Sequence, residues 1–534
     1  MKKVIHNPVL RGFNPDPSIL RVGDDYYIAT STFQWFPGVQ IYHSKDLVQW
    51  EFLGRPLDNK ILLDMTGIPD SGGVWAPCLT YDNGLFYLVY SIVRNFRNYY
   101  KDVDNYLTTA QDISGPWSAP VYLNSSGFDP SMFHDTDGKK YLVNQLFNHR
   151  DKGKQFLGIV LQEYDTVQER LVGAPKRIFG GSRLGITEGP HLYKIDGYYY
   201  LICAEGGTFY EHAVTEARTK DIWGPYEICP DNPILTSAGQ EDLELQKSGH
   251  GSLVETQNGE WYMAHLCARP KDNQKRCMLG RETAIQKLVK TDDGWLKLWA
   301  GGRSPQTEVP APYLKDWNPT PPAKRGAFDG KLADEFQTLR EPADVSWMSL
   351  NHEKKSLLLT GRQSLESLYC QSLVGRRRED FYFSSDVVLD FEPENFQQMA
   401  GIALYYDTSN YIYLNVTWNE TKGKCVGLLE CDQGVIRQRA ESVPVSPQKE
   451  IALRINVENS TAVFAWSADK KIFRQIGKAV DVTHLSDDYY EEDTTGLRFT
   501  GTFIVLCCQD VSGQRKTAEF SCFEYCGRDR MGKE

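Results

Sequence analysis

One pattern recurs five times in the first part of the chain, and it constrains the fold more tightly than any other feature. A small or proline-containing entry leads into an apolar strand, a polar turn and an aromatic strand. The copies read DPSILRVGDDYYIATS from Asp16, APCLTYDNGLFYLVYS from Ala76, DPSMFHDTDGKKYLVNQ from Asp129, GPHLYKIDGYYYLICAE from Gly189 and HGSLVETQNGEWYMAHL from His250. Aligned on Ile19, Leu79, Met132, Leu192 and Leu253, they are spaced by 60, 53, 60 and 61 residues. Each central turn has hairpin chemistry: Gly23-Asp24, Asn83-Gly84, Asp137-Gly138, Asp196-Gly197 and Asn258-Gly259. A unit of about 60 residues with roughly four strands and no helical period has the size of a propeller blade. Five units predict a five-bladed β-propeller over residues 1–303. A solenoid is the alternative, although its repeats are usually shorter.

The stretch from Pro305 to Pro322 holds six prolines and cannot form a helix or a central strand. It reads as an extended linker over residues 304–324. Beyond it, segments such as FYFSSDVVLDFE, YIYLNVTW and IALRINVE alternate and are broken by polar turns. They predict an all-β second domain over residues 325–534, a β-sandwich, with a barrel giving the same pattern. Across 534 residues, 59 Lys and Arg against 70 Asp and Glu leave a net charge of −11. That balance argues against a nucleic-acid or anionic-membrane partner, which would need a basic face. No apolar run approaches the roughly 20 residues of a membrane helix. The opening MKKVIHNPVLRGFNPDPS has two lysines but no apolar stretch after them, so a secretory signal is not expected. Twelve cysteines without a CxxC pair fit buried free thiols in a reducing cytoplasm.

In a propeller the innermost strand of each blade lines the central channel, so equivalent positions converge on one axis. Here those positions hold Asp16, Trp75-Ala76, Asp129, Glu188-Gly189 and His250. Buried carboxylates cost free energy unless paired. An Asp-Pro turn explains any one of them alone, but three around an axis, with an aromatic and a histidine between them, point to chemistry. Glycoside hydrolysis needs such a set: one carboxyl protonated to donate to the leaving oxygen, another ionised to activate water, and a third to tune the acid. Phe33, Trp35 and Trp75 fit stacking on the C–H faces of a sugar, with inter-blade packing the other reading of Trp35.

NPDPSI (Asn14–Ile19), GFDPSMF (Gly127–Phe133), ITEGPHLY (Ile186–Tyr193), GHGSLVE (Gly249–Glu255), GRETAIQKL (Gly280–Leu288) and FTGTF (Phe499–Phe503) closely resemble glycoside hydrolase family 43. More narrowly, the chain resembles its β-xylosidase branch, which carries a C-terminal sandwich of the concanavalin type. The resemblance implies Asp16 as general base, Glu188 as general acid and Asp129 as the residue that tunes and orients Glu188. It implies inversion at the anomeric carbon, which sets the two working carboxyls roughly 6.5–9.5 Å apart. Arg281 matches a subsite arginine that grips sugar hydroxyls and holds Asp129 ionised. Phe33, Trp75 and Thr208 match pocket-lining positions. Phe499, or alternatively Phe503, matches an aromatic that the sandwich contributes to close the pocket. His250 is a substrate-binding candidate and a candidate ligand of a divalent cation such as calcium, or else a hydrogen-bonded structural histidine. No other cofactor is expected.

A channel plugged at one end and covered at the other would admit only a chain end. The expected substrates are therefore short xylo-oligosaccharides cut from the non-reducing end, with α-L-arabinofuranosidase side activity. Relatives assemble as dimers or tetramers, so a homodimer or homotetramer is expected by resemblance. The rivals are an arabinanase, a retaining fructosidase and a non-catalytic carbohydrate-binding propeller. A fructosidase would show an Asn-Asp-Pro-Asn-Gly turn where this chain has Asn14-Pro15-Asp16-Pro17-Ser18. A binding propeller would have no need of Asp16 and Glu188 together.

Overall fold

A computed structural model of the chain describes residues 3–96, 99–271, 275–319, 326–445, 449–489 and 497–528. The chain divides into two compact units, Met1–Arg269 with Arg281–Thr320, and Pro270–Gly280 with Pro321–Glu534. Among the described residues the helical elements are two single turns, Lys152–Lys154 and Asp487–Tyr489.

The first unit is a five-bladed propeller. Its inner strands are Ser18–Val22, Gly73–Asp82, Ser131–His134, Glu188–Ile195 and Gln246–Glu255, and each opens an antiparallel sheet that runs outward in chain order. Blades 1, 2 and 4 turn through the two residues foreseen, Val22 pairing with Asp25, Asp82 with Leu85 and Ile195 with Tyr198. Blades 3 and 5 need five-residue turns, His134 pairing with Lys140 and Glu255 with Trp261. The blades pack face to face through buried Val, Leu, Ile and aromatic side chains, such as Leu79, Leu88 and Tyr90 between blades 1 and 2. Both faces of the inner strands are covered, so they lose the clean alternation of a half-exposed sheet.

The ends of the unit meet outside the blades. Val4–His6 pairs antiparallel with Glu308–Pro310, and Leu10 bridges Thr283. The stretch read as linker therefore starts inside the propeller unit. Pro310 is accommodated because it ends an edge strand, where no ladder donor is needed.

A belt of hydrogen bonds runs around the axis. The Ser18 hydroxyl accepts the Leu79 N–H at 3.1 Å. The Ser131 hydroxyl donates to the Pro190 carbonyl at 2.6 Å, and the Tyr193 hydroxyl accepts the Leu253 N–H at 2.7 Å. Finally, the Ser252 hydroxyl accepts the Ile19 N–H at 3.1 Å and returns the belt to blade 1. Each bond joins one blade to the next and satisfies a group that no sheet ladder reaches.

The second unit is a sandwich of two antiparallel sheets. One contains Phe336–Leu339, Ser372–Arg377, Phe503–Asp510, Gln398–Asp407, Asn410–Asn419 and Gly423–Asp432. The other contains Ser356–Thr360, Thr517–Gly527, Tyr382–Asp390, Glu450–Glu458 and Thr461–Ser467. Tyr382–Asp390 alternates buried and open positions along its length, as a strand with one core face should. Its inward Phe383, Val387 and Leu389 meet Ile402, Leu404, Ile504 and Leu506 of the facing sheet in one core.

Ser252→Ala should cost about 1–3 kcal/mol, because the Ile19 N–H is left buried without an acceptor. Urea unfolding measures this; a loss under 0.5 kcal/mol would deny the belt a structural role.

Candidate active site

The five repeat positions share a backbone state that the sequence does not announce. Asp16, Ala76, Asp129, Gly189 and His250 all have positive φ, at 54°, 36°, 54°, 55° and 54°. All five lie three residues before the aligned core residues Ile19, Leu79, Met132, Leu192 and Leu253. Glu188 lies one residue earlier, beside Trp75 in the repeat, so two of the three carboxyls are in register and the third is not. In blades 2, 4 and 5 the inner pairing slips across this point, between Trp75 and Cys78, Glu188 and His191, and Gly249 and Ser252. In blades 1 and 3 the inner strand starts only after Pro17 and Pro130. Positive φ at a non-glycine costs roughly 1–2 kcal/mol, and strain of this kind concentrates at functional sites.

Asp16 is buried and fully engaged. Its Oδ2 accepts the Ser31 hydroxyl at 2.7 Å and its Oδ1 the Arg281 guanidinium at 2.9 Å. Ser31 in turn accepts the Ala76 N–H at 2.7 Å, tying blade 1 to blade 2 at the carboxylate. Burial alone would raise the Asp16 pKa, but Arg281, His250, the Ser31 hydrogen bond and His212 together hold it below its ordinary value. Arg281 therefore serves Asp16, and not Asp129 as the resemblance implied. It stands on blade 5, which closes against blade 1, and its carbonyl accepts the Asn14 N–H at 2.9 Å.

Asp129 and Glu188 form a second, coupled pair. Burial raises both, and each also feels a neighbouring carboxylate: Glu188 and then Asp16 at Asp129, and Asp16 at Glu188. Glu188 is pushed up to about 7. The Gly189 N–H donates to Asp129 Oδ2 at 3.0 Å and opposes the rise, but burial and the Glu188 charge still hold Asp129 well above the ordinary carboxylate range, so the two carboxyls share a proton. Below Glu188, the buried Glu205 accepts the Ser182 N–H and the Thr187 hydroxyl, each at 2.7 Å, and so fixes the approach to the strand.

Ring faces complete one side. Phe33 and Trp75 lie 5.8 Å apart between centroids, with the Arg281 guanidinium 5.4 Å over Phe33 and the Trp75 indole N–H on the Ser71 carbonyl at 2.9 Å. Trp35 is fully buried, which leaves packing as its role. Thr208 is half-buried on the loop before Ala213–Thr219, and no hydrogen bond among the described residues joins it to the carboxyls. Phe499 belongs to the second unit and is half-buried just before Phe503–Asp510; Phe503 is a buried strand residue facing Arg377.

His250 Nδ1 lies 3.9 Å from Asp16 Oδ1, and burial keeps its imidazole neutral. Among the described residues no group of three or more His, Cys, Asp or Glu side chains converges as a ligand set. The adjacent carboxylate is taken by Arg281, so the residues present do not fit a protein-held divalent cation. Two buried side chains beside these groups were not singled out from sequence. His212, whose burial pushes its pKa down to about 3, packs so close to Gly249 that an added Cβ would meet its ring at 1.6 Å. Lys101 puts its ammonium 5.3 Å from the Trp75 centroid. Neither lies on an inner strand, so the repeat carried no signal for them.

Keeping one carboxyl ionised and another protonated, beside aromatic rings on a propeller axis, is the chemistry of a glycoside hydrolase. Comparison with known proteins gives the family: the chain belongs to the glycosyl hydrolases family 43, whose model matches residues 5–296. A β-xylosidase C-terminal concanavalin A-like domain matches residues 325–526. Over 533 residues the chain is 48% identical to a β-xylosidase of Bacillus subtilis, covering 98% of this chain and 99% of that one. It is 44% identical to xylosidase/arabinosidase 43B of Humicola insolens, over 98% and 97% of the two chains. The crystal structure of xylan β-1,4-xylosidase from Bacillus halodurans matches with a TM-score of 0.95 at 50% identity, over 98% and 100%.

A Cβ at position 189 would sit 3.1–3.2 Å from three atoms of the His250 ring, whereas one at Gly197, also at positive φ, meets open space. Gly197→Ala should cost about 1 kcal/mol from the backbone alone, and Gly189→Ala about 2–3 kcal/mol in total. Equal losses on urea unfolding would show that the close approach to His250 carries no weight.

Proposed function

We propose that this chain is an inverting, exo-acting β-1,4-xylosidase that releases xylose from the non-reducing ends of short xylo-oligosaccharides. The carrying observation is the opposed displacement of two buried carboxyls on one axis, Asp16 downward and Glu188 upward. Asp16, ionised beside Arg281, takes a proton from water as the water oxygen attacks the anomeric carbon from the face opposite the leaving group. Glu188 delivers its proton to the glycosidic oxygen as that bond breaks. The step leaves Asp16 protonated and Glu188 ionised, and exchange with solvent restores both. Asp129, which accepts the Gly189 N–H, orients Glu188 and tunes its proton affinity. Phe33 and Trp75 offer stacking faces to the sugar, Arg281 and His250 polar contacts, and Thr208 a hydroxyl at the rim.

The names of the relatives support the substrate class, and xylosidase/arabinosidase 43B supports α-L-arabinofuranosidase side activity. The reaction as written needs no cofactor. A divalent cation on His250 would have to draw the rest of its shell from water and sugar hydroxyls. All twelve cysteines are free and nine of them are buried, which fits a reducing, cytoplasmic location. No helix among the described residues is long and apolar enough to cross a membrane. Assembly as a homodimer or homotetramer rests on the family resemblance alone.

Xylobiose hydrolysis followed by NMR should show α-xylose as the first-formed anomer at the cleaved end; β-xylose first would overturn the inverting assignment. Asp16→Ala and Glu188→Ala should each lower turnover of xylobiose about a thousandfold or more, and near-normal rates in either would remove its role. In the pH profile of kcat/KM, the alkaline limb should fall near 7 as Glu188 loses its proton. The acid limb should lie below the ordinary aspartate range, where Asp16 gains one.

A further inference from the structure

Lys101 stands at the start of the third strand of blade 2, Asp102–Ala110, and has no counterpart in the repeat. Its ammonium is boxed by four rings: Phe128 at 5.0 Å, Phe147 at 5.1 Å, Trp75 at 5.3 Å and Phe96 at 5.9 Å from Nζ to centroid. The rings brace one another, Trp75 lying edge-on to Phe96 at 5.2 Å and to Phe128 at 5.8 Å. Such a cage holds a cation by its ring faces and leaves its protons without acceptors. Among the described residues no carboxylate lies within ion-pairing distance of Lys101 Nζ and no hydrogen bond reaches it. The charges that act on it are Glu188 and Asp129, and burial outweighs them, lowering its pKa to about 8.

We propose that Lys101, fixed in this cage, is a positioning residue for the known reaction. It is the counter-charge that stabilises the carboxylate formed on Glu188 once its proton has gone to the leaving sugar. The inference rests on Glu188 being the proton donor. Before the step, Asp129 and Glu188 share one proton and carry one negative charge; afterwards the same pocket holds two. Arg281 is committed to Asp16 by a hydrogen bond at 2.9 Å, and His250 is kept neutral by burial. The groups that act on Glu188 are then Lys101, Asp16 and Arg281, and among these Lys101 is the cation not hydrogen-bonded to a carboxylate. The cage also explains why a lysine is placed there without a bonded partner. A direct ion pair would hold Glu188 ionised and spoil it as an acid, whereas a cation held at a distance lowers its proton affinity only in part.

The test compares Lys101→Met, Lys101→Gln and Lys101→Arg in the full chain, with Glu188→Gln as reference and thermal unfolding as the check on folding. With xylobiose, Lys101→Met and Lys101→Gln should move the alkaline limb of kcat/KM upward by about one pH unit. Both should lower kcat about tenfold or more, because a weaker acid serves a poor leaving group. Lys101→Arg should restore the wild-type limb. On a dinitrophenyl β-xyloside, whose leaving group needs no proton, the same variants should lose less than about threefold. An unmoved limb in Lys101→Met and Lys101→Gln, or equal losses on the two substrates, would overturn the proposal and leave Lys101 a packing residue. If instead Glu188→Gln keeps the alkaline limb on xylobiose, the general-acid reading itself fails, and that outcome is distinct.

Discussion

The belt of hydrogen bonds around the propeller axis is the constraint on which the rest of the first unit depends. Sheets packed face to face through apolar side chains can slide, since dispersion and burial are not directional. Ser18, Ser131, Tyr193 and Ser252 remove that freedom by tying neighbouring inner strands at a fixed height. Once the heights are fixed, the residues a few positions upstream must arrive at the axis together. Positive φ at Asp16, Ala76, Asp129, Gly189 and His250 then turns the chain at the same level in every blade. A structural register becomes a chemical one.

Charge is then divided around that level with little redundancy. Arg281 neutralises Asp16 by contact, the Gly189 N–H donates to Asp129, and Asp129 and Glu188 are both held above the ordinary carboxylate range, so the three neighbouring carboxyls do not all give up their protons. Glycine at 189 serves twice here, donating its N–H to Asp129 and letting the His250 ring approach where a side chain would crowd it. The buried Glu205, bonded to Ser182 and Thr187, holds the strand that presents Glu188.

Much of this was legible in the sequence because the repeat is a backbone property. The spacing of apolar strands and Asn-Gly or Asp-Gly turns marked the five blades, and the break in the repeat marked Asp16, Asp129, Glu188 and His250. What escaped was whatever the repeat does not encode. For Glu188, which the sequence did single out, only the offset escaped: it sits one residue off the register, where a bulge rather than an Asp-Pro turn delivers its side chain. The partner of Arg281 depended on which blades adjoin on closing the ring. Lys101, Ser31 and His212 come from outer strands or loops and meet the site only in three dimensions. The proline-rich segment concealed the strand Glu308–Pro310, because three residues pairing at an edge leave no periodic trace.

Each blade is built from one continuous stretch of chain, and among the described residues no blade borrows a strand from the other end of the propeller. The ring is sealed instead by a seam: Val4–His6 against Glu308–Pro310, Leu10 against Thr283, and Ser252 beneath Ile19 across 233 residues. Blades can therefore form one after another as the chain is made, each with only local pairings to find. Asp16 belongs to the first blade and Arg281 to the last, so the buried ion pair at the axis exists only when the seam is shut. An unfinished or opened ring would hold every blade and still lack a neutralised carboxylate, which makes the site itself the last element of the fold to assemble.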